Sequence, residues 1–386
     1  MPNEKTLVVI ISDVLSDIIQ KGEIIDRYYN PGDFFSEVHL IFTNNDKPDL
    51  STSQRMVGSA KLFIHNTFSD KLLFLLTLGW NKKLLDFFNF YSAKKIFKYK
   101  PDLIRCHGAY VNLALGAAIK KKLNIPLIVS LHINMDEDRK NSRNFIKKFV
   151  SRKREKIEKN YLSLANIILP VYSPIIPYLK RLKLTNYEIC YNVINPKSIT
   201  KKTNYALCSP VRIISVGRQF KEKNPINIIK AIEQIPNTTL TIVGDGPYHS
   251  LLYDYVKTHN LLDKVFFIKS MPNDLLCKTL NEYDLFAVHT EFFEISKSVL
   301  EPLLTGLPVI INFRKGEQVM ELTSDICYKV ENKVSAYKEA IESLISKEEL
   351  RIKLGECAIQ VSSKKWSPTI TEKKFVDIYK KQLSQS

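Results

Sequence analysis

The chain has no uninterrupted apolar run approaching the roughly 20 residues that a membrane-spanning helix needs. Its longest candidate, Leu72-Leu-Phe-Leu-Leu-Thr-Leu-Gly-Trp80, reaches about half that length. Met-Pro-Asn-Glu-Lys leads straight into Thr6-Leu-Val-Val-Ile-Ile11 without the charged-then-apolar layout of a signal peptide, so no secretory leader is expected. The six cysteines (Cys106, Cys190, Cys208, Cys277, Cys327 and Cys357) are scattered and form no Cys-x-x-Cys pair. That spacing excludes a disulfide framework or a structural zinc ribbon and fits a reducing compartment. No histidine cluster suggests a metal, and neither a solenoid-period repeat nor a low-complexity segment is present. The expectation is a soluble cytoplasmic protein without a bound metal.

What is present is core-forming residues and positive charge. Hydrophobic residues make up 45% of the 386, enough for well-built cores, and the length predicts two domains. The formal net charge of +17 favours polyanions, anionic membrane surfaces or anionic substrates. Much of the excess lies between Arg139 and Lys159, where Phe145, Ile146, Phe149, Val150 and Ile157 fall roughly on one helical face among cations. Such a helix suits either an ordinary solvated face or an anionic membrane surface at the inner face of a membrane. Its aromatics follow core spacing and form no stacking platform, so nucleic acid is not an expected partner.

Short apolar runs alternate with longer helical patterns along the whole chain. Strands are predicted at Leu7–Ile11, Val38–Thr43, Lys61–His65, Leu103–His107, Pro126–His132, Ile167–Val171 and Tyr187–Tyr191. Helices are predicted at Leu72–Tyr99, Val111–Leu123 and Asn144–Ala165. After the polar stretch Asn195–Ser209 the alternation restarts, with strands at Ile213–Val216, Thr239–Val243, Val265–Ile268, Leu285–His289, Pro308–Ile311 and Cys327–Val330. Strand–helix alternation with a restart means two parallel α/β units. The boundaries drawn are a first domain at 1–200, a second at 201–363, and a terminal helix from 364 to 386. Ligands bind beyond the carboxyl ends of parallel strands, which puts the expected site in the cleft between the domains.

Two segments carry the candidate chemistry. Glu294-Ile-Ser-Lys-Ser-Val-Leu-Glu301-Pro-Leu-Leu-Thr-Gly306 places acidic side chains at and just before a short helix. Gly306 is the expected left-handed stop, followed by a buried strand. A carboxylate there can accept from two neighbouring hydroxyls, as a ribose or hexose offers. Upstream, Val216-Gly217-Arg218-Gln-Phe-Lys-Glu-Lys223-Asn224-Pro225 reads as a strand, a tight turn with two cations and a capped helix start. Free N–H groups, Lys223 and Arg218 would converge there on an anion. One segment suits hydroxyls and the other phosphates, which together describe a nucleotide-sugar site.

On these residues the second half resembles the nucleotide-binding domain of retaining GT-B glycosyltransferases, the group called glycosyltransferase family four. The clear resemblance covers residues 210–312, including Val243-Gly-Asp-Gly246-Pro and Tyr283-Asp-Leu-Phe-Ala-Val-His-Thr290. It implies two Rossmann-like domains facing across a deep cleft, an acceptor-side one at 1–200 and a nucleotide-sugar-binding one at 201–363, with the terminal helix returning to the first. It also implies that Arg218 and Lys223 bind the donor diphosphate, and that Glu301 binds the ribose with Ser298 and Val299 beside it. The family's earlier glutamate stands eight residues before the later one, where this chain has Phe293; Glu294 is one residue late. Either a local loop shift gives Glu294 the sugar-contact role, or that role is altered. In the first half, Gly22 is the match to a glycine loop against the diphosphate, and His132 resembles the histidine near the reacting carbon. His107 is an acceptor-side candidate.

The resemblance implies a hexosyltransferase that acts with retention on a nucleotide diphosphate sugar, with no covalent cofactor, and takes a glycan or lipid-linked acceptor in polysaccharide biosynthesis. A sugar-nucleotide epimerase on the same plan and a catalytically silent donor-binding homologue are the alternatives.

Overall fold

The computed structural model describes residues 3–385 apart from 21, 69, 78–80, 110, 142–144, 193–198 and 315–317. The chain divides into two compact units. The first holds most residues up to 193 together with Thr369 onward, and the second holds 194–368 together with Gly22 and Glu23.

The first unit is built on six parallel strands: β1 (Asn3–Ile11), β2 (Phe35–Phe42), β3 (Lys61–Asn66), β4 (Leu103–His107), β5 (Leu127–Leu131) and β6 (Ile167–Pro170). Their spatial order is β3-β2-β1-β4-β5-β6. Leu7, Val8, Val9 and Ile10 are all fully buried, the continuous apolar run of a central strand covered on both faces. The order reverses between β1 and β4, so the carboxyl ends of these two strands frame a switch point.

The predicted strand at Tyr187–Tyr191 does not form; this segment makes only a single parallel bridge, Tyr187 to Ile168. Asn186 O accepts from Ile168 N, while Glu188 N and Cys190 N donate to Ile168 O and Pro170 O. The bond that would complete the ladder needs an N–H on Pro170, which proline lacks. The predicted helix Leu72–Tyr99 is two helices, Asp70–Thr77 and Lys82–Phe97. The second is capped by Asn81, whose Oδ1 accepts from Leu84 N at 3.2 Å. The terminal helix, Pro368–Ser384, contributes buried Phe375, Ile378 and Tyr379 to the core under β1 and β2.

The second unit repeats the plan with β7 (Val211–Val216), β8 (Thr238–Val243), β9 (Val265–Ile268), β10 (Leu285–Val288), β11 (Val309–Asn312) and β12 (Tyr328–Val330). All are parallel, in the order β12-β11-β10-β7-β8-β9. Here the reversal falls between β7 and β10. The segment 199–209 has no regular structure yet is anchored within this unit. Lys202 Nζ donates to Tyr283 O at 2.8 Å, and Tyr205 Oη donates to Gly306 O at 3.0 Å.

Candidate functional site

In the second unit a pocket opens where β7 and β10 end, at the switch point of the sheet. It encloses about 360 Å³ including open solvent, lined among others by Ser215, Gly217, Lys223, His289, Ser296 and Ser298. The end of β7 supplies the floor, where Gly217 N still donates to Val243 O at 3.0 Å. At Gly217 an added Cβ would meet nothing within 4 Å, so the backbone faces open space there. Opposite is a close backbone crossing. A Cβ on Gly244, whose φ is 135°, would come within 2.1 Å of Gly217 O, which makes Gly244 obligatory.

Lys223 ends a short turn of 3-10 helix, and the α-helix proper begins at Ile226. The expected roles shift by one residue: Pro225 holds the cap position, and Asn224 stands before it with its Oδ1 accepting from Ile226 N at 3.0 Å. Lys223 Nζ donates to Glu294 Oε1 at 2.6 Å and stands 5.2 Å from the Phe292 ring. Arg314, mostly buried, donates from Nη2 to the Glu294 carbonyl at 3.1 Å. The glutamate one residue late in the sequence is thus held at both its backbone and its carboxylate.

The helix Lys297–Thr305 starts at Ser296 and stops at Gly306, whose φ of 82° is the left-handed conformation read from the sequence. Ser298 lines the pocket, its hydroxyl 2.9 Å from that of Ser296. Val299 has its side chain in the core and its N–H bonded to Ser296 O, so it has no side-chain role in the pocket. Glu301 lies one turn on from Ser298 and is 2% exposed. Its Oε1 accepts from Asn273 Nδ2 at 2.8 Å. Burial pushes its carboxyl up to about 7, against the opposing pull of Asn273 and Lys297.

Not all the expected residues converge. Arg218 is exposed, with its guanidinium 4.4 Å from the Phe220 ring, and neither it nor Glu301 is among the pocket-lining residues. Gly22 has a φ of 68° and groups with the second unit, where a Cβ would lie 2.8 Å from Pro272 Cα. His289 joins the pocket although its role was not read from the sequence. Its Nδ1 donates to Asn224 O at 2.9 Å while Nε2 accepts from Asn332 Nδ2 at 2.9 Å. Burial holds it neutral, below the ordinary histidine range. The available signal was its position at the end of a strand beside the switch point.

In the first unit His132 follows β5, and its ring stacks on His107 with centroids 5.3 Å apart. Tyr172 Oη donates to His132 O at 2.5 Å. His107 ends β4 at that unit's own switch point, flanked by the rings of Tyr28 and Tyr29. Burial drives it well below the ordinary histidine range, with Arg105 and His132 adding to the effect. Arg105 is buried and held by Ser130 Oγ and Tyr379 Oη, both at 3.1 Å. Asp136 stands on a helix, Met135–Asn141, and bonds Arg181 at 2.6 Å and Arg139 at 3.2 Å. The Asp136 carboxylate is therefore already engaged. Among the described residues no group of three or more His, Cys, Asp or Glu side chains could hold a metal.

Comparison with known proteins follows this division. Residues 37–198 match the family described as Glycosyltransferase Family 4, and residues 203–361 match Glycosyl transferases group 1. The sulfoquinovosyl transferase SQD2 of Arabidopsis thaliana is 25% identical over 247 residues, covering 56% of this chain and 43% of that protein. The chain thus spans less than half of the first curated relatives it matches. Among solved structures, sucrose-phosphate synthase from Thermosynechococcus elongatus superposes with a TM-score of 0.75 at 15% identity, covering 99% of this chain and 100% of that one. HepE of Anabaena in complex with UDP gives 0.74 at 14% identity, with coverage of 98% and 100%. These likenesses show the fold: two parallel Rossmann-like sheets with a C-terminal helix, the GT-B plan.

Proposed function

We propose that this chain, which carries a glycosyltransferase family 4 domain followed by a glycosyl transferases group 1 domain, is a retaining hexosyltransferase. In this reading it moves a hexose-type sugar from a nucleotide diphosphate sugar to an acceptor hydroxyl, in glycan, lipopolysaccharide or capsule biosynthesis. The observation that carries the reading is the β7–β10 switch-point pocket, where Lys223 stands beside the open backbone of Gly217 with Glu294 held against it.

The acceptor oxygen bonds to the anomeric carbon as its O–H bond breaks, the bond from that carbon to the diphosphate breaks, and the diphosphate leaves with the electron pair and takes up the hydroxyl proton. Catalysis rests on stabilising that departing charge, the part assigned to Lys223, the exposed Arg218 and the helix dipole. Glu301 takes the ribose hydroxyls, Ser298 completes the nucleotide side with Val299 packed behind it, and Gly22 belongs to the diphosphate side. Glu294 takes the donor sugar, which requires it to exchange its bond to Lys223 for sugar hydroxyls when the phosphate arrives. His132 serves the reacting carbon. Retention and the hexose are inferred from the family resemblance.

The basic segment Arg139–Lys159 was expected to offer a face to an anionic membrane. Arg139 is instead committed to Glu158 and Asp136, while Arg152, Lys156 and Lys159 remain exposed. Side chains of 145–148, 150, 151 and 153 lie outside the described residues.

The test is incubation of purified protein with radiolabelled nucleotide sugars, uridine donors first because HepE was solved with UDP. Transfer or donor hydrolysis is the expected result. Donor binding without turnover would instead assign the silent homologue.

A further inference from the structure

Lys223 stands on a segment that does little to hold itself in place. The 3-10 turn Lys221–Lys223 is three residues long, closed by Lys223 N donating to Phe220 O at 3.1 Å. Its outside support comes from the residues that follow β10. Glu291 N donates to Glu222 O at 2.8 Å, and His289 Nδ1 donates to Asn224 O at 2.9 Å. One bond falls on each side of Lys223, so the carbonyls before and after it are tied to the same short stretch.

That stretch is itself clamped. Tyr337 Oη donates to Val288 O at 3.0 Å, and the buried Asn312 bonds both the N–H and the C=O of Thr290, at 2.8 and 3.0 Å. Of the two ties to the turn, only the one from His289 depends on a side chain. A carbonyl can only accept, so Nδ1 carries a proton and Nε2 of the neutral ring is an acceptor. Asn332 Nδ2 meets that acceptor at 2.9 Å. Asn227 Nδ2 donates to Asn332 Oδ1 at 2.9 Å and to Asn332 O at 3.0 Å, which turns the Asn332 amide so that its N–H faces the ring. His289 is 5% exposed and lines the pocket with both ring nitrogens satisfied, which fixes one tautomer in one orientation.

We propose that His289 is a positioning residue for Lys223. It pins the turn through Asn224 O so that the ammonium stays at the pocket, while Asn332 and Asn227 keep the imidazole in the tautomer that can donate. That Lys223 meets a donor diphosphate there rests on the sugar-transfer reading; the pinning does not.

Two variants separate the ring nitrogens. His289→Asn puts an amide where Nδ1 stood and keeps a donor for Asn224 O, whereas His289→Gln reaches the place of Nε2 and leaves Asn224 O without one. Acylation of the full chain with acetic anhydride, read by mass spectrometry, compares Lys223 with Lys230, which lies over the Tyr255 ring on the following helix. Relative to Lys230, Lys223 should react about tenfold faster in His289→Gln and within about twofold of wild type in His289→Asn. Calorimetric titration with UDP should follow the same order, about tenfold weaker for His289→Gln and near wild type for His289→Asn. A residue that only fills the core would lower the melting temperature in both variants and leave the Lys223 to Lys230 ratio unchanged, which overturns the proposal. Equal acceleration in both variants overturns it too, since the Nδ1 donor then has no part, and so does equal UDP affinity in all three chains. If the ratio moves as expected but the wild type does not bind UDP, the pinning stands and the sugar-transfer reading fails.

Discussion

Glu301 sets up a pH dependence that can be measured without knowing the substrate. It is 2% exposed, it accepts hydrogen bonds from Asn273 and the Cys277 thiol, and burial pushes its carboxyl from an ordinary 4.5 to about 7. Below pH 4.5 the group is protonated in both folded and unfolded chains. Between 4.5 and about 7 the folded chain keeps a proton that the unfolded chain has lost. The stability contribution is therefore fully present below 4.5 and is lost as the pH rises through about 7. At 1.36 kcal/mol per pH unit the whole interval is worth about 3 kcal/mol, of which about 2.5 kcal/mol falls between pH 5 and 8. Glu301→Gln keeps the oxygen that faces Asn273 and removes the titration. The assay is urea unfolding of both proteins in a Trp80→Phe background, where the fully buried Trp366 reports on the second unit. Relative to the wild type, the variant should gain about 2.5 kcal/mol on going from pH 5 to 8. A stability difference that is the same at both pH values would refute the reasoning about Glu301.

Two further substitutions separate fold from function in the second unit. Gly217→Val points a side chain into open space without a positive φ to strain. Its stability should stay within about 0.5 kcal/mol of wild type while sugar transfer is lost, as unfolding curves and a radiolabelled-donor assay would show. Gly306→Ala does the reverse. At a φ of 82° its Cβ would fall 2.4 Å from Ile359 Cδ1, so urea midpoints should report a loss of about 1–3 kcal/mol, with catalysis per folded molecule retained.

The sequence was most legible where local chemistry and tertiary context agree. The restart of strand–helix alternation after 209 marks a second sheet, and the Gly306 stop appears where the sequence puts it, while the helix predicted to be capped by Asn224 starts one residue later. The helix Glu348–Lys365 was missed because it buries Arg351, Gly355 and Ser362 alongside Leu354 and Ala358, which interrupts the apolar stripe. Tyr187–Tyr191 looks like a strand by composition, and only its position opposite Pro170 prevents the ladder. At the site, cations near a helix start announced Lys223, but pattern cannot tell which way a turn points its side chains. Arg218 therefore lies against Phe220 instead of lining the pocket. Glu294 was legible only as a misplaced acid, because what holds it, Arg314 and Lys223, comes from 20 and 71 residues away.

The most direct measurement is the melting temperature of the second unit, followed through Trp366, in the presence of each nucleotide diphosphate sugar in turn. A donor that binds the folded state alone stabilises it by about 2.7 kcal/mol at a hundred times its dissociation constant. The account predicts that at least one donor raises the melting temperature of the wild type and that Arg218→Ala/Lys223→Ala abolishes the rise. A rise that persists undiminished in that double variant, or no rise with any donor, would contradict it.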